Sequence, residues 1–217
     1  MQTLNQDIKE RSFRPVYLLY GEETFLVNSY KNRLKEAVLG DDTMNFSRYE
    51  GKGIDVGELI RQADTMPFFA EKRLILVEDS GFFKASSEEL ASYLPSMPDT
   101  TCIIFAESQV DKRNRLYKKV KELGYAAEMQ RQDVAQLARW AGGILAREER
   151  KITGRTMELF LSMTGEDMEN IRMELEKLIS YTMGKVVITD DDVKAVCTVQ
   201  VTNRIFDMVS AIVNRQT

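Results

Sequence analysis

The 217-residue chain contains no histidine. That absence removes the commonest general base, the commonest zinc ligand and the usual partner of a serine or cysteine nucleophile, so most hydrolase templates are excluded at the outset. Cysteine is scarce as well. Cys102 and Cys197 are the only two, and so far apart they make neither a disulfide framework nor a metal-ligand cluster; both read as small buried hydrophobes. No apolar run approaches the roughly 18 to 20 residues that cross a bilayer. Gln2, Asn5, Gln6, Asp7, Lys9 and Glu10 interrupt the first ten positions, so no export signal is read there and the expected location is the cytoplasm, away from any membrane. Internal repeats and low-complexity segments are also missing.

What remains is the composition of a folded globular chain, 43% hydrophobic and 29% charged, with a length that suits one or two compact units. A net charge of -4 argues against a surface that grips nucleic acid all over, while leaving room for a local basic patch. Trp140 and the eleven methionines are expected in the core.

Patterning divides the chain in two. Val16 to Tyr20 (VYLLY), Arg73 to Val77 (RLILV) and Thr101 to Ala106 (TCIIFA) are continuous β-favouring runs, as in strands buried on both faces of a parallel sheet. Met44 to Glu50 and Tyr125 to Met129 are read as further strands. Between them, Leu26, Tyr30, Leu34 and Val38 predict a helix from about Glu22 to Leu39, and Asp55 with Glu58 caps a second. Ser86 with Glu89 caps a short third, stopped by Pro95 and Pro98, and Leu116, Val120 and Leu123 mark a fourth. This alternation predicts a doubly wound α/β sheet. From Asp133 onward the pattern is mainly helical, with Thr189 and Asp192 capping one short helix and a last stripe over Val201–Thr217. That stripe lacks a stop signal, so the natural chain is expected to continue.

A strand, a glycine turn and a helix form the layout of a phosphate-binding loop, but its chemistry is missing. Counted from Gly21 in GxxxxGK[ST], the glycine, lysine and hydroxyl positions hold Leu26, Val27 and Asn28. Glu22 and Glu23 put negative charge where phosphates would lie; equally, they suit the positive end of a helix dipole. Glu78 and Asp79 close a strand as a magnesium-holding acidic motif does, or as ordinary loop acids. No metal site is read.

In order, PVYLLYGEETFLV, TMPFFAEKRLILVED, CIIFAES, MENIRMELEKLISY and IFDMVSAI, from Pro15 to Ile212, resemble the delta subunit family of bacterial DNA polymerase III. The resemblance covers nearly the whole chain. It implies an AAA+ or P-loop NTPase-like α/β domain over 1–139, a helical lid over 140–200 and the first helix of a collar domain over 201–217. It also implies no catalysis and no cofactor of the chain's own, polymerase activity belonging to the assembled complex. The implied partners are the sliding clamp (the beta subunit), the delta-prime and gamma or tau loader subunits, and primed DNA. By alignment with the family's clamp-binding element, Phe68 and Phe69 are the contact pair and Met66 flanks them.

The local sequence supports that placement independently. Pro67 opposes helix and keeps Met66 extended, so large apolar side chains stand on a constrained turn that a partner's pocket can capture. The alternative is that either phenylalanine packs under its own helix as core. Lys112, Arg113, Arg115, Lys118, Lys119 and Lys121 form a basic helix that either faces DNA phosphates or is an ordinary solvated face. Ser108 falls near the sensor position of related ATPases. Two other readings stay open at this point: an active nucleotide-binding enzyme with an unusual loop at Gly21, and a DNA-binding adaptor.

Overall fold

The computed structural model describes residues 1–85 and 87–198. Two compact units divide between Arg131 and Gln132. The first contains α1 (Gln2–Glu10), β1 (Val16–Tyr20), α2 (Thr24–Leu39), β2 (Phe46–Glu50), α3 (Val56–Asp64), β3 (Arg73–Glu78), α4 (Glu88–Tyr93), β4 (Thr101–Glu107), α5 (Arg115–Leu123) and β5 (Tyr125–Glu128). Its strands lie in the order β2-β3-β4-β1-β5, all in parallel. Parallel neighbours need crossovers, and a helix supplies each one.

Strands β1, β3 and β4 are buried at every position, as their uninterrupted apolar runs predict. The edge strand β2 (FSRYE) is not. Alternate residues of a strand face opposite sides. Leu18, Tyr20, Ile75, Val77, Ile103 and Phe105 share one core with Leu59 of α3, Leu90 of α4 and Leu116 and Val120 of α5. The intervening Tyr17, Leu19, Leu74, Leu76 and Ile104 are buried as well, and α2 packs against β1, β3 and β4. The sheet is doubly wound.

Helix α1 has no sequence signature. It is anchored by Leu4, which is fully buried, and by Asp7, whose carboxylate accepts hydrogen bonds from Arg14 Nε and the Tyr17 hydroxyl, both at 2.9 Å.

The second unit is mainly helical: α6 (Val134–Arg147), α7 (Gly154–Thr164), α8 (Met168–Tyr181) and α9 (Asp190–Val196), with a two-residue parallel pair of β6 (Lys151–Ile152) and β7 (Val187–Ile188). Leu137, Leu145, Phe160, Ile171, Leu175 and Leu178 are buried. Reciprocal caps start two of the helices, Asp133 with Gln136 for α6 and Thr189 with Asp192 for α9. Because α6 runs unbroken through 139 and 140, the boundary expected there falls inside a helix.

Cys102 and Cys197 are buried, and burial pushes the Cys102 thiol up to about 12. Trp140 is only half-buried, and Met44, Met66, Met173 and Met183 are exposed, against the expectation of core. Methionine is flexible and weakly polar enough to stand on a surface without dictating the fold. The cap expected at Ser86 and the helix expected over 201–217 lie outside the described residues.

Candidate functional site

In an open parallel sheet, ligands are expected at the carboxyl ends of the strands. At that edge Gly21 follows β1 with φ 132°, and a Cβ there would come within 2.3 Å of the Met129 carbonyl oxygen, so only glycine fits the turn. The same carbonyl accepts the Glu23 N–H at 3.0 Å, and the Thr24 N–H donates to the Glu22 carbonyl at 3.1 Å. Two amides that a phosphate cradle would present are thus spent inside the turn. Leu26 and Val27 are buried in the first turns of α2, and the Asn28 side chain accepts from Lys31 Nζ at 2.9 Å. Helix and core occupy the positions where glycine, lysine and hydroxyl would serve a nucleotide.

The acidic motif is likewise committed. Glu78 is buried at the end of β3, with Lys31 Nζ and Arg48 Nε each 2.5 Å from its carboxylate oxygens. Burial alone would raise its pKa, but the hydrogen bonds from Lys31 and Arg48 outweigh it and the carboxyl is held below the usual glutamate range. Asp79 adopts left-handed φ 47° and accepts the Ser108 N–H at 3.3 Å. Glu107 accepts from the Ser80 hydroxyl, the Ser80 N–H at 3.0 Å and the Gly81 N–H at 3.2 Å, while burial raises its pKa. Neither Lys31 nor Arg48 was singled out by motif. Among the described residues no group of three or more histidines, cysteines or acids is placed to hold a metal ion.

The turn from Thr65 to Ala70 is built differently and leaves large apolar side chains exposed. Met66 is 78% exposed, Phe68 55% and Phe69 95%, so neither phenylalanine serves the core. Phe69 takes left-handed φ 50°, rare for a bulky residue. Its ring meets that of Phe68 edge to face, centroids 4.5 Å apart. Both flanks of the turn are fastened: Arg73 Nε donates to the Thr65 carbonyl at 3.0 Å, and the Asn45 side chain bonds to the backbone of Phe68. Beside the rings lies an open groove of about 710 Å³, whose lining includes Phe13, Val38, Leu39 and Met44 along with charged Arg11, Asp42, Glu71 and Lys72.

The basic stretch is largely neutralised by its own neighbours. Lys112 pairs with Glu128, Arg113 with Asp111, Arg115 with Glu88 and Lys119 with Glu122, at 2.6 to 3.3 Å. Lys118 and Lys121 are exposed on α5.

A five-stranded parallel sheet wound on both faces, with a strand, a glycine turn and a helix at its first crossover and a helical unit after it, defines an AAA+-like α/β fold. Thermotoga maritima RuvB, titled a Holliday junction branch migration motor, shares this fold with a TM-score of 0.51 at 12% identity, over 90% of this chain and 65% of that one. A solved structure titled Bacillus subtilis DNA clamp loader delta protein matches with a TM-score of 0.77 at 24% identity, over 99% of this chain and 67% of that one. The family model described as DNA polymerase III, delta subunit, matches residues 17–130, more than half of the sequence. The chain belongs to that family. Curated relatives include the DNA polymerase III subunit delta of Bacillus subtilis, 25% identical over 97% of this chain and 65% of the relative, and a probable subunit delta of Aquifex aeolicus, 23% identical over 83% and 54%. The chain therefore spans somewhat less than two thirds of the curated relatives' length.

Proposed function

We propose that this chain is a non-hydrolysing mechanical component of a clamp loader, which captures the sliding clamp through Met66, Phe68 and Phe69 and favours the clamp conformation with an opened interface. The observation that carries the reading is the Phe68–Phe69 pair, held on the surface by a fastened turn in a strained backbone conformation. An apolar pocket on the partner that dries these rings gains roughly 1.5 to 3 kcal/mol per ring. Binding shifts the clamp toward its open form only by the difference in affinity for the two forms. Family membership and the name of the Bacillus subtilis structure support the assignment to a loader.

In a loader shared with delta-prime, the gamma or tau subunits would hydrolyse ATP, and ATP binding by neighbouring subunits would decide when the turn is accessible. For primed DNA inside the assembled loader we assign Lys112 and Arg113, in the turn before α5, together with Arg115, Lys118 and Lys119 of α5. Four of these five already hold acidic partners, so such a contact would exchange one ion pair for another. The test is co-elution of the purified chain with the cognate sliding clamp in the absence of nucleotide. A stable complex that disappears on Phe68→Ala/Phe69→Ala supports the reading, and a double variant that elutes with the clamp as the parent does refutes it.

A further inference from the structure

We propose that Asn45 is the positioning residue for this binding turn, fixing Phe68 so that Phe69 is presented ready for capture; the inference rests on the assignment of the phenylalanine pair as the clamp-binding element. Asn45 directly precedes β2 and is fully buried. Its backbone carbonyl accepts the Leu74 N–H at 2.9 Å, which ties it to the start of β3. Its side chain therefore starts from a rigid base.

From that base the amide treats Phe68 as a neighbouring strand would. Asn45 Oδ1 accepts the Phe68 N–H at 2.6 Å, and Asn45 Nδ2 donates to the Phe68 carbonyl at 2.9 Å. Both backbone groups of a residue outside any helix or strand are satisfied by one side chain. The orientation of the amide is dictated as well. Nδ2 also donates to Asp42 Oδ2 at 2.6 Å, and a carboxylate can only accept, so the nitrogen must face Asp42 and the oxygen must face the Phe68 N–H. Asp42 is itself oriented by the backbone N–H groups of Met44 and Asn45, at 2.8 and 3.2 Å.

The residue after this clasp is Phe69, in a left-handed conformation that a bulky side chain leaves readily when free. Strain of this kind persists only where the surroundings over-determine it. The clasp supplies that constraint one residue upstream, leaving the ring of Phe69 in solvent and braced by Phe68. A binding element ordered in advance spares the cost of ordering it on association.

The test combines amide hydrogen exchange on the free chain with titrations of the cognate sliding clamp onto the parent, Asn45→Ala, Asn45→Asp and Phe69→Ala. In the parent, the Phe68 amide should exchange at least about tenfold more slowly than in Asn45→Ala. Asn45→Ala should bind the clamp about tenfold more weakly at unchanged secondary structure. Asn45→Asp should bind more weakly still, because its second carboxylate oxygen would face both Asp42 and the Phe68 carbonyl. The parent measurement needs no variant to fold: an unprotected Phe68 amide overturns the proposal. So does clamp binding by Asn45→Ala equal to the parent's while Phe69→Ala fails to bind. Parent-like binding by Phe69→Ala would instead remove the clamp-binding assignment, and the positioning role with it.

Discussion

Lys31 on α2 and Glu78 at the end of β3 meet at 2.5 Å, 47 residues apart in sequence. Arg48 of β2 reaches the other carboxylate oxygen. The internal ion-pair network at this edge of the sheet is a brace between one helix and two strands.

Glu78→Gln should therefore destabilise the first unit, because it leaves the mostly buried Lys31 ammonium without its counter-charge. Breaking a buried pair from one side costs about 3 kcal/mol, measurable as a lower midpoint in urea at neutral pH. The pH dependence has a definite sign. The folded-state pKa lies below the unfolded one, so the stabilisation is complete above the ordinary glutamate value of about 4.3 and is lost as the pH falls through the folded value. The parent should show a steeper acid limb than Glu78→Gln.

Nucleotide should not bind in the usual manner. With the Glu23 N–H bonded to Met129 and Val27 buried where a lysine would stand, calorimetry with ATP and magnesium should give no saturable heat at micromolar concentrations. A micromolar site would show that the turn at Gly21 opens to admit phosphates.

Gly124→Ala should be severely destabilising although the φ there, -141°, is not left-handed. The added Cβ would lie 1.8 Å from the Val16 carbonyl oxygen, so β5 could pair with β1 only after the backbone shifts. Overpacking of this kind costs about 3 kcal/mol, which would appear as a clear fall in the thermal midpoint, with loss of β5 protection in hydrogen exchange.

The sheet was legible in the sequence because its strands are unbroken apolar runs, and the helices around it because stripes and caps mark them; Asp55, for example, caps α3 through the N–H groups of Gly57 and Glu58. Helix α1 was not, since its docking depends on Asp7 meeting Tyr17 and Arg14 after the chain has turned. Two-residue strands such as β6 and β7 carry no periodicity to read. At the candidate site, the exposure of Phe68 and Phe69 was expected from the family resemblance, whereas Pro67 and the turn alone left packing in the core open. The means of holding them was not expected: Asn45 lies 23 positions from Phe68, and a lone asparagine before a strand signals a turn rather than a clasp. The pairing of Glu78 was equally hidden, because Lys31 sits on a helix face where a lysine would ordinarily be solvated.

Capture of the clamp by the phenylalanine pair can be measured by titrating the cognate sliding clamp onto the immobilised chain without nucleotide, for the parent and for Phe68→Ala/Phe69→Ala. Loss of two buried aromatic contacts should weaken binding by at least about a hundredfold while circular dichroism and the thermal midpoint stay those of the parent, since both rings already face water. Equal affinity of the two proteins would show that Phe68 and Phe69 do not hold the clamp.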